Sequence, residues 1–447
     1  MSLPLGPHGL VEVTRAIRAF NADPPGYCAA ALERWGPAAA RLQILHDCII
    51  ILGDPDLITE VLVDRDGAFG KDKVTRGLSI FLGHGLLTSD GAPWRRHRRL
   101  IAPSLTRRHI ERYAEAMVAS TRAYVDGVVD GEVRDVHADM TALTLEIVTR
   151  TLFGAELPGG HERIGGLVDA AMSDFQELMH SWRRTVPAWV PLRARRRMRR
   201  IAAELDAYIA DLIRQRRTSG VLGDDLLSRL LAARDEEGGS LGDDQLRDEL
   251  ATLFVAGHET TANALTFALT LLAEHPEVAD VVREEVARVL GGRPAAAADS
   301  PALVRCDALF KEAMRLYPPA HLIGREALRD VTLGEVTIPA GATVLISPWA
   351  LHHDRRFFAD PMAFRPWRWL DPAIAGLPKH AYMPFGGGPR ICVGNHFAMM
   401  EGILCLATIA GALRFERLDR RPVALQASIT LRVIDGLRMR ARRIDAA

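Results

Sequence analysis

Lysine is almost missing from this chain. Of its 56 basic residues only Lys71, Lys73, Lys311 and Lys379 are lysine. Arginine therefore carries nearly all the positive charge, and arginine clusters such as Arg193–Arg200 follow from that bias and read as the solvated start of a helix. The 56 basic residues are matched by 56 acidic ones, so the formal net charge is zero. That removes the electrostatic case for nucleic acid as a partner. Cysteine is scarce as well. Cys28, Cys48, Cys306, Cys392 and Cys405 form an odd, scattered set without a C-x-x-C pair, which argues against a disulfide framework and against structural zinc. Residues 1–20 show no basic stretch followed by an apolar run, so neither a signal peptide nor a membrane anchor is expected, and a cytoplasmic location is. No repeat of 20–50 residues is visible.

Apolar residues are plentiful, at 48% of 447. No Pro/Gly/Ser-rich linker divides them, so one domain spanning residues 1–447, with two lobes, is expected. Helical spacing dominates, near Leu10–Phe20 and Tyr27–Trp35 and then through Ile110–Val129, Met140–Leu152, Ile164–Leu178 and Met198–Ile213. Strand character is confined to Leu42–Leu45 and Ile49–Leu52, which suit a hairpin, and to Val331–Ile338, Thr343–Ser347 and Ile429–Val433. The fold class is mainly α with a smaller β-rich part.

Two segments carry chemistry. Phe385-Gly386-Gly387-Gly388-Pro389-Arg390-Ile391-Cys392-Val393-Gly394 is a glycine-rich loop that delivers one cysteine to the start of an apolar helix, Asn395–Leu413. The glycines allow positive φ and close approach, and the helix N-terminus favours thiolate over thiol. A thiolate is the iron ligand suited to O–O cleavage in a porphyrin. The second segment, Ala256-Gly257-His258-Glu259-Thr260-Thr261, puts an acid and two hydroxyls into the longest apolar helix, about Asp244–Glu274. Buried polar groups need a reason. Thr260 can bond a carbonyl one turn back, and Gly257 weakens the helix, so the ladder is expected to open into a groove there.

The loop resembles the haem-binding segment of cytochrome P-450 monooxygenases, F-x-x-G-x-x-x-C-x-G with a basic residue two before the cysteine, here Arg390. The helix segment is similar to that family's oxygen-binding pattern, [AG]-G-x-[DE]-T-[ST]. The resemblance implies haem b between the two helices, with Cys392 as axial thiolate and Phe385, Gly386 and Ala256 beside it. It implies that Glu259 and Thr260 deliver protons to the outer oxygen of O2. Trp94 and Arg98, spaced i, i+4, together with Arg325 and Arg390 match the family's propionate contacts. Glu312 and Arg315 at i, i+3, joined by Arg368 from Phe364-Arg365-Pro366-Trp367-Arg368-Trp369, resemble its buried structural triad. The implied reaction inserts one O2 oxygen into a hydrophobic small molecule, terpenoid or fatty acyl. Because no flavin- or ferredoxin-like segment is present, electrons are expected from NAD(P)H through a separate reductase and ferredoxin. Arg95, Arg96, Arg99, Arg107 and Arg108 offer a landing patch for such a partner. A monomer is expected. The alternatives are a peroxide-driven peroxygenase, which has no need of a Glu259–Thr260 relay, and a non-catalytic haem protein. His352-His353 is read as structural, and His396 and Cys405 as helix packing. The substrate pocket is expected from Lys71–Pro93, Met172–Pro191, Phe254, Ala256, His321–Ile323 and Ile429–Leu431.

Overall fold

The computed structural model describes residues 3–44, 46–64, 66–154, 160–179, 190, 192–220, 223–419 and 421–444. Its axis is a 32-residue helix, Asp243–Glu274. Two aspartates, Asp243 and Asp244, lie in its first turn, where the helix dipole favours negative charge. It stops at His275, which precedes Pro276 and is held at φ −127°, ψ 74°, outside the helical region. Pro276 then starts the next helix, Pro276–Leu290, at a position where its missing N–H costs nothing.

Around this axis pack the helices Val136–Phe153, Val304–Leu316 and Asn395–Ala412. They bury Phe267, Phe310, Leu404 and Leu406 in one continuous core. Two of these helices approach closely because of Gly402. A Cβ there would lie 2.2 Å from the Phe310 ring, so any larger residue must push the helices apart. Phe267 stacks on Tyr317 with ring centroids 4.5 Å apart. Truncating Phe267 to alanine in such packing costs about 3–5 kcal/mol.

The smaller, β-rich lobe holds a five-stranded sheet. From edge to edge its strands are Ala39–Ile44, Asp47–Leu52, Thr343–Ile346, Ile323–Ala327 and Phe69–Gly70. The first two form the expected antiparallel hairpin, with Ala39 opposite Leu52. Ile50, Leu52, Val344 and Ile346 are buried along it. The sheet matters to the site because it brings Phe69–Gly70 and Ile323–Ala327 together, 256 residues apart at closest register, Gly70 opposite Glu326 and Phe69 opposite Ala327.

Several expectations are corrected. Val331–Ile338 is two strands, Val331–Leu333 and Val336–Ile338, folded back through Gly334 at φ 54°. A β-prone run of that length reads as one strand until a left-handed glycine breaks it. The strand expected over Ile429–Val433 begins only at Leu431, because Ile429 and Thr430 belong to a bend, and it pairs with Leu425–Ala427 before it. His352 ends a short helix, Pro348–His352, and lies on no strand. The long helix is unbroken through Gly257, since neighbouring helices hold it where propensity alone would loosen it. Arg195, within the arginine run, is buried and donates to the Val190 carbonyl at 3.2 Å, while Arg193, Arg196, Arg199 and Arg200 face solvent. Most of the expected Met172–Pro191 pocket wall lies outside the described residues.

Candidate active site

The loop before Asn395–Ala412 folds as its glycines require. Gly386 and Gly388 take φ 71° and 66°. A Cβ on Gly388 would fall 2.1 Å from the Leu62 carbonyl oxygen, so only glycine fits. The Cys392 N–H bonds the Phe385 carbonyl at 2.9 Å, closing the loop on itself. Cys392 alone of the five cysteines is exposed. The residue is open to solvent, yet protein atoms crowd its thiol. That crowding pushes the thiol up, while the Gly394 N–H and the charge of Arg98 push it down. Burial drives Cys28, Cys306 and Cys405 well above the usual thiol range. Cys405 lies inside the C-terminal helix against the Thr121 hydroxyl, 3.1 Å away. His396 is exposed and does not pack as expected.

On the long helix, Ala256 is exposed although Val255 before it and His258 and Glu259 after it are buried. An exposed alanine in the middle of a core helix marks the face of a groove. Thr260 lies one turn on and donates to the Ala256 carbonyl at 2.7 Å. This back-bond orients its hydroxyl without a break in the helix. Glu259 is buried, and its carboxylate accepts a 2.5 Å hydrogen bond from the Thr430 hydroxyl. Residue types near Glu259 gave no hint of that bond, since Thr430 lies 171 residues on. Phe254 is buried against Phe153 and His258, with ring centroids 6.2 and 5.6 Å apart. His321 is buried, and burial lowers its pKa to about 4, so its ring is neutral.

A second buried acid went unrecognised in the sequence. Glu401, on the C-terminal helix, is fully buried. Burial raises its carboxyl well above the usual range, with the Thr261 hydroxyl opposing. Its only signal in the sequence is one carboxylate in an apolar helix.

Four cationic or indole side chains meet near the cysteine loop. Trp94 and Arg98 share a face of the helix Gly91–Ile101. Arg98 donates to the Ile391 carbonyl at 2.8 Å. Arg390 stacks over the Trp94 ring, 4.2 Å from its centroid, pairs with Asp90 and donates to the Ser89 carbonyl at 3.1 Å. Arg325 is buried, and burial followed by the charge of Arg390 brings it down to about 10. Of the basic patch, Arg96 is bound to Asp235 at 2.8 Å, whereas Arg95, Arg107 and Arg108 face solvent.

Glu312, Arg315 and Arg368 come together. Glu312 and Arg315 are 0% exposed, which excludes a surface pair. Both Glu312 oxygens take Arg315 donors at 2.9 Å, and Arg368 Nε and Trp369 Nε1 add bonds of 3.1 and 2.9 Å.

A family model described as "Cytochrome P450" matches residues 28–431. The chain belongs to that family. Among its relatives, cyclooctatin synthase of Streptomyces melanosporofaciens is 35% identical, over 92% of this chain and 88% of the relative. Pentalenene oxygenase of Streptomyces avermitilis is 36% identical, over 83% of each chain. A cytokinin hydroxylase of Arabidopsis thaliana is 31% identical, over 89% of this chain and 79% of its own length. The protein is thus an oxidoreductase of cytochrome P-450 monooxygenase type, which takes O2, a small-molecule substrate and electrons from redox partners. Family membership implies haem with a cysteinate ligand, and the residues present suit that group. They offer a cysteine on an exposed stretch of loop, a helix face bared at Ala256 and a buried guanidinium at Arg325 that, among the described residues, is in no ion pair. Among the described residues no helix is long and apolar enough to cross a membrane.

Proposed function

We propose that Cys392 holds the haem b iron as its axial thiolate, and that the protein monooxygenates a hydrophobic small molecule with electrons from a ferredoxin and its NAD(P)H-dependent reductase. The observation that carries this reading is the exposure of Cys392 alone among five cysteines, at the mouth of a buried helix. When bound, the haem supplies the redox chemistry that activates O2.

The chain's own part is the control of water and protons. Ala256 keeps one face of the long helix low, so that a flat ring can approach it. The Thr260 hydroxyl spends its proton on the Ala256 carbonyl and leaves its lone pairs to accept a hydrogen bond from the groove. The Glu259 carboxyl group, fixed by the Thr430 hydroxyl one residue from Thr260, relays protons toward the groove. Trp94, Arg98, Arg325 and Arg390 would hold the propionates, and Phe385 and Gly386 would wall the thiolate side. The buried Phe254 and the neutral ring of His321 favour an apolar substrate. The names of two relatives, an oxygenase of pentalenene and a cyclooctatin synthase, favour a terpenoid over a fatty acyl chain.

The test is the absorption difference spectrum of the dithionite-reduced protein with and without carbon monoxide. A strongly red-shifted Soret band in the wild type, absent from Cys392→Ala, is the expected result. A band at the position of histidine-ligated haem, or its survival in Cys392→Ala, overturns the assignment.

A further inference from the structure

One buried amide on the long helix is only half satisfied. Asn263 is 0% exposed, and its Nδ2 has no hydrogen-bond partner among the described residues. Its Oδ1 lies 3.1 Å from His137 Nε2, in the first turn of the helix Val136–Phe153. An amide oxygen only accepts, so His137 donates here, and that bond turns both N–H donors of Asn263 the other way. Buried donors left idle are costly, and a native fold that keeps them has a use for them.

The turn before Asn263 carries the acid and the alcohol. Asn263 stands four residues after Glu259 and three after Thr260, so the three share one face of Asp243–Glu274. Helical side chains lean toward the N-terminus, which carries the Asn263 amide back over Glu259 and Thr260. Glu259 is buried, and among the described residues the Thr430 hydroxyl, bound to its Oε1, is its only hydrogen-bond partner. Its second oxygen is open to a donor. The helix Val136–Phe153 grips this turn from both ends. The Thr144 hydroxyl donates to the His258 carbonyl at 3.0 Å, one residue before Glu259, and His137 holds Asn263, one turn after it. His137 is partly open to solvent whereas Asn263 and Glu259 are buried, so polar groups step inward from the surface to the groove.

Resting on the haem reading above and on Glu259 as its acid, we propose that Asn263, oriented by His137, positions the Glu259 carboxyl for proton transfer. Its free N–H groups hold the second carboxyl oxygen, a bond closed by a small side-chain rotation, while Thr430 holds the first. Both Asn263 and His137 are positioning residues, and neither lies within the oxygen-binding pattern Ala256–Thr261. Held by Thr430 alone, the carboxyl pivots about a single bond. Held at both oxygens, it stays aimed along the groove beside Thr260.

The chain has three asparagines, Asn21, Asn263 and Asn395, so labelling asparagine alone with nitrogen-15 isolates the Asn263 amide for NMR. Spectra are taken on the holoenzyme, reduced and bound to carbon monoxide, with the Soret band of each sample recorded. The Asn263 pair of amide signals is the one that disappears in Asn263→Asp. Glu259→Ala should shift that pair and leave those of Asn21 and Asn395 in place. His137→Phe should shift it too, with His137→Gln, which keeps a donor, returning it toward the wild-type position. In turnover, with farnesol as the probe substrate, product formed per NAD(P)H should fall roughly tenfold in Asn263→Leu and in Asn263→Asp, which keeps an acceptor for His137 and loses the donors. His137→Phe should lose less, and His137→Gln should restore the yield. Asn263 signals unmoved by Glu259→Ala overturn the proposal, as does a wild-type yield in both Asn263 variants. If Asn263→Leu does not fold, Asn263→Asp and the His137 pair decide, and if wild type leaves farnesol untouched the amide signals decide alone. A wild-type yield in Glu259→Ala brings down Glu259 as the acid, and absence of the thiolate band from all samples brings down the haem-thiolate reading. Either result takes this proposal with it.

Discussion

Two buried clusters of charge in this molecule are built from similar residues and differ in one respect. Around Arg315 every donor is met. Its guanidinium binds both Glu312 oxygens and the carbonyls of His352, Pro361 and Ala363 at 2.8, 2.6 and 3.1 Å, and Glu312 takes the Arg365 N–H at 2.9 Å. Around Lys71 and Arg325, among the described residues, cations are left over, with Asp90 given to Arg390 and the Lys71 N–H and Asp72 to the Val74 and Thr75 N–H groups. A closed cluster ties chain segments together and needs nothing further. An open one is unfavourable in isolation, and its persistence points to a ligand.

The sharpest way to break the closed cluster is Arg315→Leu. It takes the fully buried cation from Glu312, which keeps only Arg368, Trp369 and the Arg365 N–H, and leaves three carbonyls without their donor, so it should lower the unfolding free energy by about 3–5 kcal/mol in chemical denaturation. A loss below about 1 kcal/mol would mean the cluster is not the lock it resembles. Glu259 is an intermediate case, a buried acid with one hydroxyl holding it. Glu259→Gln should cut coupled turnover by roughly a hundredfold while peroxide release rises. Thr430→Val, which frees the carboxyl and leaves it in place, should cost less, and unchanged coupling in both variants would remove the acid from the mechanism.

Acid sharpens the comparison from another side. His352, behind Arg315, accepts the Met383 N–H at 3.0 Å, and burial lowers its pKa to about 3. The unfolded chain binds its proton near pH 6.5. The contribution of neutral His352 is therefore complete above pH 6.5 and is lost as pH falls toward 3. Thermal melts between those limits should show a stability slope that flattens in His352→Asn. A surface pair gives the smallest effect. Arg34→Ala, breaking the exposed bond to Glu12 at 2.6 Å, should shift stability by less than about 1 kcal/mol.

Much of the site was legible because its motifs are local. The Cys392 loop, the Glu259–Thr260 step and the Glu312–Arg315 pair each sit within ten residues, and each occupies the element assigned to it. Local propensity misled where packing overrode it, as at Gly257, and where one left-handed residue, Gly334, split a β-prone run. The Thr430 bond to Glu259, the use of Asp90 by Arg390 and the facing of Lys71 with Arg325 were not legible, because each joins residues more than 170 positions apart.

The sequence by itself determined the elements and the chemistry on offer, a thiol behind glycines, an acid beside a threonine, and charge carried by arginine, because periodicity and backbone preference act over a few residues. Only the tertiary structure decided which thiol stays reachable, which carboxylates are already taken and which cations remain unpaired. Burial and charge balance are sums over segments that the fold brings together from distant parts of the chain.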